Sequence, residues 1–238
     1  MENQMVFERY ELKYLMSRRQ QEEILRAMEP HMKPDRFGHS SICNIYYDTP
    51  DFRLIRHSLE KPVYKEKLRV RSYGPAGPED PVFVELKKKY REVVYKRRIV
   101  LPQARAAACL GGAVPLPDSQ IGREIACVLD FYRALAPAVF LSYERDAYVD
   151  RCAGTFRVTF DDAIRYRQTG LTLDSGTGGR PLLAPDQVLM ELKTAGGLPL
   201  WMARALSSQK IYKTSFSKYG AAYRDIVLTG QKGVCSNG

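Results

Sequence analysis

The chain has 238 residues, with 37 Lys and Arg against 27 Asp and Glu and a formal net charge of +10. This length suits one large domain, and the basic excess points to an anionic partner: nucleic acid, a phosphorylated small molecule or an anionic membrane surface. No run approaches the roughly 18 to 20 apolar residues of a membrane-spanning helix, and the polar start from Met1 to Glu11 lacks the apolar centre of a signal peptide. Cys43, Cys109, Cys127, Cys152 and Cys235 form neither a CxxC pair nor a zinc spacing, which reads as reduced thiols in a cytoplasmic protein.

In chain order, alternation predicts a first strand over 7–14, with Arg9, Glu11 and Lys13 on one face. Ser17 and Gln20 form a capping box for a helix over 18–29. A strand over 42–47 ends at the turn of NIYYDTP, with Cys43 and Tyr47 read as structural residues. Strands follow over 63–73, 82–90 and 92–101. A helix over 118–135 carries Ile121, Ile125, Val128, Leu129 and Tyr132 at helical spacing. Strands over 139–148, 155–161 and 187–194 precede two closing helices, Trp201 to Ser207 and Lys218 to Val227. Residues 1–229 read as a single domain, and 230–238 as a disordered tail. Many strands and a few helices in this order predict an α+β fold: an antiparallel eight-stranded β-barrel tunnel with helices packed outside.

Successive side chains of a strand point to opposite faces. In VYKEKLRVRS, Lys65, Lys67, Arg69 and Arg71 therefore share one face, and Tyr64, Glu66, Leu68 and Val70 the other. Neighbours in that row sit about 6.6 Å apart and repel by roughly 2.5 kcal/mol at an effective dielectric of about 20. Such a row needs solvent or an anion. The pattern recurs with Glu85, Lys87 and Lys89, with Lys96 and Arg98, with Tyr143 and Arg145, with Arg157, Thr159 and Asp161, and with Glu191 and Lys193. One strand of this kind is an ordinary solvated sheet face. Seven of them predict a cationic lumen that a chain of phosphates fits, since Arg binds phosphate oxygens bidentately and Lys as a point charge.

These residues resemble the VTC domain, the catalytic domain of eukaryotic vacuolar polyphosphate polymerase complexes, which belongs to the triphosphate tunnel metalloenzymes. The resemblance runs from about Phe7 to Arg224, through FERYELKY, YKEKLRVRSY, VFVELKKKY, VYKRRIVL, LSYERDAY, FRVTFDD, VLMELKT and SFSKYG. It implies that Lys13, Arg69, Arg71, Lys87, Lys96, Arg145 and Arg157 form the phosphate-gripping wall, and that Lys218 sits at the tunnel mouth. Arg9, Lys67, Lys89, Arg98 and Lys193 are expected to add to substrate binding, and Glu191 to hold the divalent metal, Mn²⁺ or Mg²⁺. The hydrolytic branch opens on an ExExK strand, whereas the aligned trio here is Arg9, Glu11 and Lys13. That departure resembles the polymerase branch.

The resemblance implies transfer of the γ-phosphate of ATP onto inorganic polyphosphate, with no protein nucleophile. The histidines agree with this, because His31, His39 and His57 lie in no motif. A triphosphate or nucleoside triphosphate hydrolase and a non-catalytic polyphosphate-binding module are the alternatives. Nucleic acid is not the expected partner, because the cations alternate into one face rather than spreading among exposed aromatics. A membrane-protein partner is compatible with the resemblance.

Overall fold

The structure, a computed structural model, describes residues 10–91, 93–152 and 154–235, the last five by their backbone alone. In chain order the elements are β1 (Tyr10–Ser17), α1 (Arg18–Met28), β2 (Met32–Asp48), α2 (Arg53–Leu59), β3 (Tyr64–Tyr73), β4 (Pro81–Tyr90), β5 (Val93–Pro102), α3 (Gln103–Leu110), α4 (Gln120–Tyr132), β6 (Ala136–Asp150), β7 (Arg157–Arg167), β8 (Arg180–Pro181), β9 (Gln187–Thr194), α5 (Leu200–Ser208), β10 (Lys213–Thr214) and α6 (Lys218–Cys235). The sheet is hydrogen-bonded in the order β10-β1-β9-β7-β6-β2-β3-β4-β5, with β8 on β7. The pairings β1–β10, β1–β9, β2–β3, β3–β4, β4–β5, β7–β8 and β7–β9 are all antiparallel. Only β8 and β10 are two-residue strands, so the long strands are the eight expected. The pairing order is open rather than closed among the described residues, with β10 and β5 at its ends.

The chain gathers into two compact units, and β2, β6 and β7 contribute residues to both. The first comprises Met1–Ser40, Glu144–Ile164 and Leu183–Phe216. Its core joins Ile24 and Met28 of α1 and Met202 and Leu206 of α5 to Phe160, Met190 and Leu192 on the sheet. Helix α1 begins where the sequence predicts: Gln20 N donates to Ser17 Oγ, and Ser17 N donates back to the Gln20 side chain. Trp201 of α5 stacks on His31 with ring centroids 4.5 Å apart.

The second unit comprises Ser41–Tyr143, Arg165–Leu182 and Ser217–Gly238. Cys43, Leu68, Val70, Val84 and Leu86 are buried against Ala106 and Leu110 of α3 and Ile125 and Val128 of α4. Complete burial of each such aliphatic side chain is worth about 1.5–3 kcal/mol, which fixes the register: slipping a strand by one residue would drive its cations into this core. Lys88 and Arg97, on the same face as the core, are met by Glu124 of α4 at 3.2 and 3.5 Å.

Several features depart from the sequence expectations, and helix α3 (Gln103–Leu110), which the sequence does not predict, is one of them. Strand β2 starts ten residues before position 42, through a polar stretch containing Pro34 and Gly38 that shows no apolar alternation. Helix α2 is added, and its start is held by Asp48, whose carboxylate accepts from the backbone N–H groups of Thr49, Leu54 and Ile55. Helix α6 runs on to Cys235, so residues 230–235 are helical where a disordered tail is predicted.

Candidate active site

In the second unit, pairing aligns three strands into one polar face. Arg71 lies opposite Phe83, Arg69 opposite Glu85, Lys67 opposite Lys87 and Lys65 opposite Lys89. On the far side of β4, Phe83 pairs with Val100, Glu85 with Arg98, Lys87 with Lys96 and Lys89 with Val94. This face of β3, β4 and β5 thus carries eight cations and a single carboxylate, Glu85. Lys67, Arg69, Arg71, Lys87, Lys89, Lys96 and Arg98, all expected in the substrate wall, fall on it together.

Glu85 organises the wall. Arg69 Nε donates to its Oε2 at 2.8 Å, Lys96 Nζ reaches Oε1 at 2.5 Å, and Arg71 Nε stands 3.9 Å away. Burial pushes the Glu85 carboxyl up, but the fields of Arg69 and Arg71 and the Lys96 hydrogen bond outweigh it and bring the pKa to about 2. The same crowding acts in reverse on Lys96, whose pKa burial lowers. Arg69 Nη1 donates to Tyr46 Oη at 2.9 Å. Burial raises the Tyr46 phenol, but Arg69, Lys67 and Arg71 overcome it and lower the pKa to about 8. Arg71 is buried and donates to Asn44 Oδ1 and Tyr143 Oη at 2.9 and 3.1 Å.

Lys218 opens α6 with its Nζ 4.5 Å from the Tyr143 ring centroid. Three contacts of SFSKYG fix that placement. Ser217 Oγ accepts from Gly220 N and from Lys67 Nζ, each at 3.2 Å. Tyr219 is buried and donates from Oη to Asp48 Oδ2 at 2.8 Å. A Cβ at Gly220 would sit 2.9 Å from Leu59 Cδ2, so the Leu59 side chain of α2 packs closely on the backbone there.

The first unit has a second polar face. Lys13 pairs with Glu191, which pairs in turn with Thr159; Glu11 pairs with Lys193, which pairs with Arg157. Lys13 Nζ lies 3.4 Å from Glu191 Oε1 and 3.3 Å from Glu11 Oε1, and donates to Phe216 O at 3.1 Å. Arg145 binds Asp161 bidentately, at 2.6 Å through Nε and Nη2, and its Nη2 also reaches Glu191 Oε2 at 3.4 Å. Arg157 Nη2 is bonded to Asp35 Oδ2 at 2.6 Å. Lys13, Arg145, Arg157, Lys193 and Glu191 are therefore neighbours on this face. Arg9 lies outside the described residues.

No group of three or more His, Cys, Asp or Glu side chains could hold a metal ion by itself among the described residues. The donors beside Glu191 fit a cation that brings its own ligands. The Thr159 hydroxyl, one pairing position away, is buried with no hydrogen-bond partner among the described residues, and Asp161 is within the same ion-pair network. A magnesium-like ion commonly binds one or two carboxylates plus phosphate oxygens.

Glu85, Asp161, Tyr46, Asn44 and Asp35 are the site residues that sequence reading does not select. Alternation already places Glu85 and Asp161 on the faces of the cations. Asp35 carries no comparable signal, because its strand lacks an apolar pattern.

The family model described as the VTC domain matches residues 8–227. None of the curated proteins matches the chain significantly. Among solved structures, the chain is similar to a candidate adenylate cyclase from Bacillus halodurans, at 15% identity and TM-score 0.53, covering 87% of this chain and 92% of that one. It is also similar to HpAC1 from Hippeastrum, a candidate adenylyl cyclase with a dominant triphosphatase activity, at 16% identity and TM-score 0.54, covering 90% and 94%. At these identities the likeness shows a shared fold alone.

Proposed function

Because the chain belongs to the VTC-domain family, we propose that it is a polyphosphate polymerase, transferring the γ-phosphate of ATP onto the end of an inorganic polyphosphate chain. The observation that supports this reading best is the face of eight cations with one carboxylate on β3, β4 and β5. A wall so far from neutral favours a flexible polyanion over a single small anion.

Phosphoryl transfer depends chiefly on positioning and on stabilising charge. Arg69, Arg71, Lys67, Lys87, Lys96 and Arg98 bind the non-bridging phosphate oxygens, and Lys89 and Lys218 extend the grip. A terminal phosphate oxygen of the acceptor attacks the γ-phosphorus, the bond to the β-phosphate oxygen breaks, and ADP leaves. The attacking oxygen is already anionic, so no general base is required. Glu191, with Thr159 beside it, would hold a divalent ion, Mn²⁺ or Mg²⁺, that supplies a Lewis acid to the phosphate oxygens. Lys13 and Arg145 orient the Glu191 carboxylate, while Arg157 and Lys193 add positive charge. Arg9 is assigned to the same wall by resemblance.

A cytoplasmic location fits Cys109, a buried thiol outside any disulfide. No helix among the described residues is long and apolar enough to cross a membrane. A membrane protein is a compatible partner, and nucleic acid is not a proposed ligand.

The test is incubation of purified protein with ATP and Mn²⁺, with gel analysis of the products. A ladder of phosphate chains with matching ADP is the expected result. Orthophosphate without chains would replace polymerase by triphosphatase, and binding without turnover would leave a polyphosphate-binding module.

A further inference from the structure

The basic face of the second unit is not uniform along its strands. At the Lys67–Lys87–Lys96 level it is wholly cationic. Two pairing levels away, about 13 Å along the strands, it becomes aromatic and apolar: Arg71 pairs with Phe83, and Phe83 with Val100. Tyr73 continues β3 on the same face, with its ring edge-on to Phe83 at a centroid distance of 5.7 Å. Tyr73, which ends the charged row of β3, is 50% exposed, and Val100, next to Arg98 on the same face of β5, is 55% exposed. The Arg98 guanidinium lies over the Phe83 ring, 5.0 Å from its centroid.

We infer that Tyr73 and Phe83 form a stacking platform for the nucleobase of the phosphate donor, fixing the polarity of the nucleotide on the wall. The inference rests on the polymerase reading, which supplies a nucleoside triphosphate. Exposed aromatic surface beside guanidinium groups suits a ligand that is a flat π system at one end and an anion at the other. Arg98, already against Phe83, meets the first phosphate after the nucleoside. The γ-phosphate then points toward Lys67, Lys87 and Lys96, where the acceptor chain must end. Stacking reads a π face common to all bases, so GTP is accepted about as well as ATP.

The test is calorimetric titration of the wild type and of Phe83→Leu, Tyr73→Leu and Phe83→Trp with ATP, GTP and tripolyphosphate. Each leucine variant is expected to weaken ATP and GTP about tenfold while leaving tripolyphosphate unchanged, and Phe83→Trp to retain ATP affinity. Two results overturn the platform: unchanged ATP affinity in both leucine variants, or a parallel loss of tripolyphosphate, which would mean a disturbed wall rather than lost stacking. A wild type that binds neither ATP nor tripolyphosphate would instead overturn the polymerase reading itself.

Discussion

The two polar faces solve opposite electrostatic problems. On β3, β4 and β5, eight cations face one carboxylate, Glu85. In the first unit, Lys13, Lys193, Arg145 and Arg157 stand with Glu11, Glu191, Asp161 and Asp35, cation for carboxylate. The first arrangement stores repulsion that an incoming polyanion relieves. The second is neutral before any ligand arrives, and its ion pairs hold side chains in place. Binding strength should therefore reside in the unbalanced wall, and geometric precision in the balanced one.

The largest expected effect tests the lone carboxylate. Glu85→Gln removes the shared partner of Arg69 and Lys96, a buried ion pair whose breakage costs about 3–5 kcal/mol. Thermal unfolding without ligand should show that loss. Saturating tripolyphosphate should recover more of the melting temperature in the variant than in the wild type, because phosphate occupies the place that Glu85 held. Equal recovery in both would show that Glu85 is not the wall's internal counter-ion. The pH dependence follows from the same group. Its folded pKa, about 2, lies below the ordinary 4.5. Its stabilisation is thus present above about pH 4.5 and lost as pH falls through about 2, and the acid unfolding of Glu85→Gln should lack that component.

Glu191→Gln probes the balanced face. Arg145 keeps its bidentate partner Asp161, so folding should survive with only a modest shift in melting temperature. Metal-dependent turnover should fall by about a hundredfold or more, about 2.7 kcal/mol, while tripolyphosphate affinity stays within a few-fold of wild type. A large loss of affinity instead would erase the division of labour between the faces.

Much of this contrast is legible in the sequence. The alternation of YKEKLRVRSY and VFVELKKKY puts all their cations but Lys88 on one face because the other face must bury Leu68, Val70, Val84 and Leu86. The capping box of α1 and the Glu191 strand are equally local. Asp48 is different, because its carboxylate holds the start of α2 and receives Tyr219 from 171 residues away. That long-range contact leaves no periodic trace. The Arg157–Asp35 pair is hidden for the same reason, spanning 122 residues from a strand without apolar alternation.

A smaller effect sharpens the comparison from within the wall. Lys87 pairs with Lys67 on one side and Lys96 on the other, and like charges directly opposite one another destabilise a sheet by a few tenths to about 1 kcal/mol. Lys87→Ala should raise the melting temperature of the ligand-free protein slightly and weaken tripolyphosphate binding by about tenfold, a charge-assisted contact being worth about 1.5–3 kcal/mol. A variant that lost both stability and affinity would mean that Lys87 is satisfied in the free protein and stores no repulsion.

The smallest effect belongs to the balanced face's own unit. His39 lies between two carboxylates, with Nδ1 2.9 Å from Asp146 Oδ1 and Nε2 3.2 Å from Glu144 Oε2. The Asp146 hydrogen bond is the main cause of its raised pKa, helped by the charges of Asp146 and Glu144 against slight desolvation. A folded pKa above the unfolded value of 6.5 stabilises fully below pH 6.5, and that contribution disappears as pH rises through the folded value. The group is exposed, so water and salt screen it and the shift in melting temperature should be small. Comparing wild type with His39→Gln from pH 5.5 to pH 8.5 should show the two curves converging as pH rises. Parallel curves would mean that His39 gains nothing from its carboxylates.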